Sequence, residues 1–439
     1  MASIIARRSL WSRAGRSYSV GVLGIPMWRG QKKPGTDVAP LKFRKDSRLI
    51  TGIESTTGEP VHDFGDVDLS SCGQYECDGT KFMALASQLI RMSVVRSLNE
   101  SSRLVVLGGD HSMAIGTVRG HADYAKQHGR ELAVLWIDAH ADINTPKTSR
   151  SGSWHGMAVS LILHEMAAHL PPMKEFSNWK SSVSATSLVY IGLRDVEPDE
   201  RWFLENLRIP HFSMRELDSL GIHKVTEMAL DKIDPQGRKA LHVSFDIDAL
   251  DPIVAPSTGT PVPGGMTVQE AAVFSEAIAS TQRLGVLDVV EVNPLISNSG
   301  DVLKTLESAS LIARLMLGTF DFSLFLLLTL SLPLFGSLYK GRVIQEIKAQ
   351  SMLRTGLGSA GHEARMEGAS EQKQRRHLLR FGSSKGRQRD GHLSAADARK
   401  GQDAAFAACE EDSEPRSTCG SVTVGIGSSG AEMSSAQFY

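Results

Sequence analysis

Cysteine is scarce in this chain, and its scarcity excludes a fold built on disulfides. The four cysteines among 439 residues are scattered: Cys72, Cys77, Cys409 and Cys419. Cys72 and Cys77 lack a matching pair of cysteine or histidine residues, which argues against a structural zinc site. We therefore expect free thiols and a reducing compartment.

An excess of charge of one sign is also missing. The chain has 48 basic and 49 acidic side chains, and its net charge of −1 does not indicate a nucleic-acid partner. Hydrophobic residues make up 41% of the sequence, which is enough for one large core with appendages.

Acidic residues are absent before Asp37, and the N-terminal segment is basic. It contains several serines, the arginines Arg7, Arg8, Arg13 and Arg16, and the apolar residues Ile4, Ile5, Leu10 and Trp11, which suit one face of a helix. This composition is typical of a mitochondrial transit peptide. We therefore predict a transit peptide at residues 1–19 and a location in the mitochondrial matrix. The alternative is a disordered basic tail on a cytoplasmic protein.

Short apolar runs alternate with helical periods from residue 20 onward. The runs that predict strands are residues 20–25, 103–107, 132–137, 188–193, 241–245 and 284–290, with a weaker run at 209–213 and an edge strand at 61–66. The periods that predict helices are residues 82–98, 113–128, 157–169, 215–233, 268–282 and 302–317. This alternation predicts an α/β fold with a three-layer, doubly wound, mainly parallel sheet.

Metal-binding side chains follow two of the predicted strands. Strand 132–137 runs into Asp138-Ala139-His140-Ala141-Asp142, and strand 241–245 runs into Asp246-Ile247-Asp248. Alternate residues of an extended segment point the same way, so each ending presents its ligands on one side. The carboxyl ends of parallel strands meet at one edge of a sheet, where ligands bind. The sequence therefore predicts a site for two metal ions and metal-assisted hydrolysis.

Three further strand ends carry residues suited to the same site. They are His111 after Gly108-Gly109-Asp110, the segment Arg194-Asp195-Val196-Glu197, and Glu291. A single aspartate at a strand end is commonly a helix N-cap or a turn residue, and a single histidine is more often structural than a ligand. Six such residues on neighbouring strand ends favour the metal site. One histidine per ion among carboxylates favours Mn²⁺ over zinc.

The composition changes sharply after residue 317. Residues 322–338 are almost wholly apolar and uncharged, and at about 17 residues they lie at the short limit for crossing a bilayer. Pro333 and Gly336 lie within them. Residues 340–439 are polar and poor in aromatic side chains, which predicts disorder. Three interpretations of residues 319–339 stay open: a membrane anchor, a segment buried in the protein or covered by a partner, and translated non-coding sequence.

Four ordered motifs resemble the signatures of the ureohydrolase family. They are Gly108-Gly109-Asp110-His111-Ser112, Asp138-Ala139-His140-Ala141-Asp142-Ile143-Asn144, Ser244-Phe245-Asp246-Ile247-Asp248 and Glu291-Val292-Asn293-Pro294. Gly24-Ile25-Pro26 and Gly30-Gln31 resemble the family's opening loop, and segments 151–156 and 190–198 resemble arginase more than agmatinase. The similarity spans about residues 20–317. It implies an arginase/deacetylase-like catalytic domain at residues 20–318, followed by an extension that is foreign to the family.

The resemblance implies a binuclear centre with two Mn²⁺ ions per subunit. By analogy, one ion is held by His111, Asp138, Asp142 and Asp246, and the other by His140, Asp138, Asp246 and Asp248. The catalytic residues implied are His155, Asp142 and Glu291, and the substrate contacts implied are Asn144, Ser149, Ser151, Ser153, Glu197 and Glu291. The expected reaction is hydrolysis of L-arginine to L-ornithine and urea by a metal-bridging hydroxide, in a homotrimer.

Two substrate positions depart from the family pattern. Ser153 stands where arginases commonly have asparagine, and Glu197 stands where aspartate is usual. The nearest alternative function is agmatinase or another guanidino-acid ureohydrolase, although agmatine lacks the carboxylate that would be bound by Asn144, Ser149, Ser151 and Ser153. The alternative of a different class is an inactive or membrane-attached relative, in which the altered C-terminus blocks assembly.

Overall fold

One parallel sheet organises the part of the chain that the structure describes. The computed structural model describes residues 18–57, 61–75 and 78–318. The strands are β1 Tyr18–Gly24, β2 Val61–Asp66, β3 Ser101–Leu107, β4 Leu132–Ile137, β5 Leu188–Leu193, β6 His211–Ser213, β7 Ala240–Asp246 and β8 Leu284–Val290. They form one eight-stranded sheet in the order β2-β1-β3-β8-β7-β4-β5-β6. All of these neighbouring strands run parallel.

Helices cover both faces of the sheet. In chain order they are α1 Ala39–Asp46, α2 Leu49–Thr57, α3 Gly79–Glu100, α4 Ala114–Gln127, α5 Ala158–Ile162, α6 Pro198–Asn206, α7 Met214–Leu220, α8 Ile222–Ile233, α9 Val268–Thr281 and α10 Ser299–Met316. Helices α3 and α4 pack on the face that carries Trp136 and Tyr190. Helices α8, α9 and α10 pack on the face that carries Phe245. The three-layer α/β fold that the sequence predicts is confirmed.

The central strands are buried along their whole length. Every residue of β4, β5, β7 and β8 is buried. Continuous apolar runs suit strands that are covered by helices on both faces. Burial of a large aliphatic side chain contributes roughly 1.5–3 kcal/mol to stability. A strand made of such residues gains most at the centre of the sheet, where helices cover both of its faces. Strand β2 has half-buried and exposed residues, and it lies at the edge as predicted.

The register of the sheet aligns the strand ends that carry the candidate site. Ile137 of β4 pairs with Phe245 of β7, and Asp246 of β7 pairs with Val290 of β8. Strand β3 lies on the other side of β8. The residues that follow these four strands therefore leave the sheet at one level, next to one another.

Two predicted helices differ from those observed, and both predictions are wrong in extent. The helix predicted at residues 215–233 is two helices, α7 and α8, because Gly221 between them has a left-handed φ of 79°. The helix predicted at residues 157–169 is the short α5, because a parallel bridge between Leu163 and Val183 replaces its continuation. Helices α1, α2 and α6 have no counterpart among the predicted helices.

Parts of the predicted organisation lie outside the described residues. They are residues 1–17 of the predicted transit peptide, the apolar segment at 319–339 and the tail at 340–439. Tyr18 and Ser19, the last two residues of the predicted peptide, belong to β1. Within the described ranges, no helix combines the length and the apolar character needed to cross a membrane.

A close approach of α3 and α4 depends on Gly116. A Cβ atom at this position would lie 2.7 Å from Ile90 Cβ and 2.8 Å from the carbonyl oxygen of Ser87. We expect Gly116→Ala to lower the free energy of unfolding by about 1–3 kcal/mol, because overpacking outweighs the gain in helix propensity. Gly79→Ala is the control, because a Cβ there would meet only Trp154, at 3.7 Å. Chemical denaturation measures the free energy of unfolding of both variants. Equal values for Gly116→Ala and Gly79→Ala would contradict the importance of this close packing.

Candidate metal centre

Six candidate ligands converge at the carboxyl ends of β3, β4 and β7. They are His111, Asp138, His140, Asp142, Asp246 and Asp248, and all but the half-buried His140 are buried. They contain two compact groups, each with its ligand atoms within 4.8 Å of one another: His111 with Asp138 and Asp142, and Asp138 with His140 and Asp248. Asp138 belongs to both groups. Two neighbouring ligand groups that share one carboxylate therefore lie at this edge of the sheet.

The imidazole ring of His111 is held from both sides. Its Nδ1 atom lies 3.1–3.2 Å from a carboxylate oxygen of Asp138, Asp142 and Asp246. Its Nε2 atom lies 2.9 Å from the hydroxyl oxygen of Ser244. The ring also stacks on the indole of Trp136, with centroids 4.0 Å apart. These contacts direct Nδ1 toward the carboxylates.

The second group surrounds His140. The Nδ1 atom of His140 lies 3.1 Å from Asp248 Oδ2 and 3.4 Å from Asp138 Oδ1. Its Nε2 atom lies 3.8 Å from Asp195 Oδ2, on an exposed side chain. Asp246 contacts the first group through His111 but belongs to neither compact group.

The same carboxylates also stabilise the turns that follow the strands. Asp246 Oδ1 accepts a hydrogen bond from Asp248 N at 2.8 Å, and Asp138 Oδ1 accepts one from His140 N at 2.7 Å. Trp136 Nε1 donates to Asp138 Oδ2 at 2.9 Å. A carboxylate has about four acceptor positions, so one residue can cap a turn and still offer a ligand atom.

Burial and crowding perturb the pKa values of the cluster. Burial, together with the charges of Asp248 and Asp138, raises the pKa of Asp246 well above its usual value. Burial and Asp138 also raise the pKa of Asp142 to about 6. Burial lowers the pKa of His111, but hydrogen bonds to three aspartates outweigh it and hold this pKa well above its usual value. Such a cluster is stabilised by positive charge.

The donor set of this cluster fits divalent cations. The single N–H that His111 can carry on Nδ1 cannot serve three carboxylates at once. A cation can be bound by several of these oxygens together with the ring nitrogen. Four carboxylates with two imidazoles form an oxygen-rich set, which suits hard or borderline divalent ions. We conclude that these residues fit a pair of divalent metal ions.

An acidic cleft of about 160 Å³ opens over the cluster. Its walls are formed by His140, Asp142, Asn144, Ser149, Ser151, His155, Gly156, Asp195, Glu197, Glu200, Asp246 and Thr260. Five of these residues are aspartate or glutamate, and no lysine or arginine lines the cleft within the described part of the chain. The cleft therefore suits a cationic ligand.

A buried carboxylate, Glu291, pairs with the cleft residue His155. Their Oε1 and Nδ1 atoms lie 3.1 Å apart, and Glu291 Oε1 also accepts a hydrogen bond from His111 N at 2.8 Å. Burial lowers the pKa of His155, but the hydrogen bond and the charge of Glu291 raise it to about 9. Burial raises the pKa of Glu291, but the same pairing outweighs it and lowers this pKa. An ion pair is therefore favoured near neutral pH.

The structure brings four of the predicted substrate-contact residues around the cleft. Asn144, Ser149, Ser151 and Glu197 line it. The Nδ2 atom of Asn144 donates to Glu197 Oε2 at 3.1 Å. Ser153 is only 8% exposed and is not among the lining residues. Its backbone N–H donates to Ser151 Oγ at 3.2 Å, so it orients the neighbouring hydroxyl.

Three residues of the site have no role assigned from the sequence, although Gln31 belongs to the opening-loop motif. Glu200 lines the cleft, and burial with the charge of Asp142 raises its pKa to about 8. Its spacing from Glu197 at the start of α6 is a capping-box signal that the sequence does contain. Thr260 donates to Asp248 Oδ2 at 3.1 Å, and Gln31 donates to Glu291. No local pattern indicates the role of Thr260.

The Ser244 hydroxyl fixes the ring of His111 on the side away from the carboxylates. We expect Ser244→Ala to weaken the affinity of the cluster for divalent cations about 10- to 100-fold, because partners that orient a ligating histidine have effects of this size. Ser275→Ala is the control, since it removes another buried hydroxyl, on α9, that contacts the Ala271 carbonyl. Metal titration of the metal-free protein measures both affinities. Equal values would contradict this role of Ser244.

Comparisons with known proteins agree on one family. The arginase family model matches residues 18–319. The chain is 42% identical to Homo sapiens arginase-2, mitochondrial, over 293 residues, which cover 66% of this chain and 81% of that protein. The Bacillus subtilis arginase structure aligns with a TM-score of 0.59 at 30% identity, covering 68% of this chain and 98% of that one. Entamoeba histolytica arginase in complex with L-ornithine aligns with a TM-score of 0.57 at 25% identity, covering 68% and 99%. The chain therefore belongs to the arginase family of hydrolases, which act on linear amidines.

Proposed function

We propose that this chain hydrolyses the guanidino group of L-arginine to L-ornithine and urea, with two Mn²⁺ ions per subunit. The observation that carries the proposal is the acidic cleft over two neighbouring ligand groups, with His155 in its wall and paired to the buried Glu291. A cationic guanidinium group matches this charge, and a bound pair of metal ions matches hydrolysis.

Two sets of ligands would hold the metal ions. One consists of His111, Asp138, Asp142 and Asp246, and the other of His140, Asp138, Asp246 and Asp248. One histidine per ion among carboxylates supports Mn²⁺ rather than zinc. When bound, the two ions supply a water molecule whose pKa is lowered toward neutrality. Asp142, which also lines the cleft, is our candidate for accepting a proton from that water.

Glu291 would bind the guanidinium group. A guanidinium keeps its positive charge at any relevant pH and resists nucleophilic attack. Glu291 is 1% exposed, and its lowered pKa keeps it ionised for a charge-assisted hydrogen bond. Such a bond would hold the guanidinium carbon in one place, which is the main contribution that a positioning carboxylate makes to the rate.

His155 would supply the proton that the departing amine requires. With a pKa raised to about 9, His155 is protonated at neutral pH. Its Nδ1 atom is engaged by Glu291, so Nε2 is the nitrogen from which a proton would pass to the cleft. General acid catalysis of this kind contributes about 10²–10⁴-fold to a rate.

The outer part of the cleft would bind the amino-acid end of the substrate. Asn144, Ser149 and Ser151 offer amide and hydroxyl donors for the carboxylate, and Ser153 supports Ser151 through its backbone. Glu197 offers an acceptor for the α-ammonium group. L-arginine presents both of these groups, whereas agmatine presents the amine alone.

Agmatine hydrolysis is the second candidate, and one contact favours it. Glu197 is a methylene longer than the aspartate common in the family, and its Oε2 atom accepts the Asn144 amide at 3.1 Å. The contact occupies the Asn144 amide, which is a donor for the carboxylate of L-arginine. Agmatine has no carboxylate and does not need this donor. The identity of the side chain at position 197 is therefore expected to influence the choice between the two substrates.

Location and assembly are also proposals. The curated relatives named arginase-2, mitochondrial support a mitochondrial location, in agreement with the basic composition of residues 1–19. A homotrimer is a prediction from the family resemblance. Its test is the mass of the purified protein in solution, measured with and without residues 319–439.

Urea release tests the proposed function. We expect Mn²⁺-dependent release from L-arginine by the full chain and by a chain that ends at Gly318. His155→Ala should lower kcat about 10²–10⁴-fold while two ions stay bound, since His155 is not a ligand. Loss of metal in this variant would refute its assigned role. Release from agmatine but not from L-arginine would select the second candidate.

Glu197→Asp tests the contact with Asn144. Shortening the side chain should free the amide for the substrate carboxylate and raise the ratio of kcat/KM for L-arginine over agmatine by about 10-fold, the effect of one gained hydrogen bond to a charged group. Glu205→Asp, on the exposed side of α6, is the matched control. A ratio that stays the same in Glu197→Asp would mean that this contact does not affect selectivity.

A further inference from the structure

Gln31 is outside the residues assigned above to metal, guanidinium or amino-acid binding, yet its side chain contacts Glu291. Its Nε2 atom donates to Glu291 Oε2 at 2.7 Å, and Gln31 is 8% exposed. The other oxygen, Oε1, accepts from His111 N at 2.8 Å and lies 3.1 Å from His155 Nδ1. Among the hydrogen bonds of the described residues, Gln31 alone engages Oε2.

The loop that carries Gln31 is anchored at two points beside the site. Gly30 N donates to Asp110 Oδ2 at 2.9 Å, and His155 N donates to the Gly30 carbonyl at 3.0 Å. A Cβ atom on residue 30 would overlap the Asp110 carboxylate, so this close approach requires glycine. The backbone next to Gln31 is therefore tied both to the end of β3 and to the turn of His155.

We propose that Gln31 is a positioning residue that sets the rotation of the Glu291 carboxylate toward the guanidinium group of the substrate. The inference rests on the proposed function. The terminal torsion of a glutamate side chain is broad, so hydrogen bonds to Oε1 alone leave the plane of the carboxylate free to turn. A donor on Oε2 removes that freedom.

The count of acceptor positions shows why this rotation matters. An ionised carboxylate offers about four lone-pair positions. His111 and His155 use two on Oε1 and Gln31 uses one on Oε2, which leaves one on the oxygen that Gln31 orients. A guanidinium N–H that reaches this position therefore meets Glu291 in a direction set by Gln31.

Gln31 is a neutral side chain, and this matters for its contact with Glu291. An amide can orient a carboxylate without cancelling its charge. A lysine or arginine at this position would form its own ion pair with Glu291 and compete with the substrate guanidinium. A glutamate there would keep the size of the side chain but replace the donor by an acceptor of like charge.

Two substitutions in the full chain loaded with Mn²⁺ test this role. Gln31→Glu keeps the size of the side chain and removes the donor, and Gln31→Ala removes the contact. We expect each to lower kcat/KM for L-arginine about 10- to 100-fold, the effect of losing a hydrogen bond to a buried charge. Metal content should stay at the wild-type value. Gln236→Ala, an exposed glutamine in the loop before β7, is the matched control.

Binding measurements separate positioning from a general loss of structure. The affinity for guanidinium ion, which can contact Glu291, should fall in both Gln31 variants. The affinity for L-norvaline, an amino acid with an unbranched apolar side chain, should stay unchanged because that ligand carries no group for Glu291 to bind.

A third variant disturbs Gln31 without replacing it. A Cβ atom on Gly259 would lie 3.0 Å from Gln31 Oε1, which is closer than an ordinary contact. Gly259→Ala should therefore shift the amide and produce a smaller loss of guanidinium affinity, with L-norvaline binding retained.

Unchanged kcat/KM and unchanged guanidinium affinity in both Gln31 variants would overturn the inference. A loss of bound metal, or a loss of L-norvaline affinity as large as the loss of guanidinium affinity, would also overturn the inference. Either result would show that Gln31 has a merely structural role. If the wild-type chain releases no urea from L-arginine, the proposed function fails. The guanidinium titration still decides the role of Gln31 in that case.

Discussion

The mutual repulsion of four buried carboxylates is the constraint on which the candidate site depends. Asp138 and Asp142 follow β4, while Asp246 and Asp248 lie at the end of the adjacent parallel strand β7. Because they share one edge, burial and neighbouring negative charge raise the pKa of Asp246 well above its usual value. Two histidines and several turn N–H groups offset part of this cost, and divalent cations would offset the rest. The fold thereby creates a strong preference for positive charge at one place.

The sheet and its helices hold this unfavourable arrangement together. Strands β4 and β7, which carry five of the six candidate ligands, are buried along their length, so their ends cannot move apart without loss of the core. Two residues of the site, Asp142 and Glu291, have left-handed φ values of 51° and 63°. Such conformations cost free energy and persist only where the surrounding structure imposes them. The apolar layers on both faces supply that support, and the same rigidity would keep a guanidinium group aligned.

Local sequence patterns predicted a feature of the structure correctly where the residues that define this feature lie in one short segment. Continuous apolar runs identified the central strands, because a strand covered on both faces has no polar side to interrupt it. The spacing of ligand-type residues directly after a buried strand identified Asp138, His140 and Asp142. The expected extended backbone is wrong there, because β4 ends at Ile137 and Asp142 lies in the following loop with a left-handed φ. Helical periodicity was less reliable. It joined α7 to α8 across Gly221 and extended α5 too far, since it does not register a left-handed glycine or a bridge to a distant segment.

The sequence by itself determined the strands, the order of the motifs and the identity of the candidate ligands. Each of these depends on residues within a few positions of one another. Only the tertiary structure decided which side chains meet: Gln31 with Glu291, Thr260 with Asp248, and Asn144 with Glu197. It also decided that Ser153 is buried and is not part of the cleft wall. Thr260 and Asp248 both lie between β7 and α9, and the path of that loop brings them together. The other two pairings join different strand ends, and their distances depend on strand order and register, which no single segment contains.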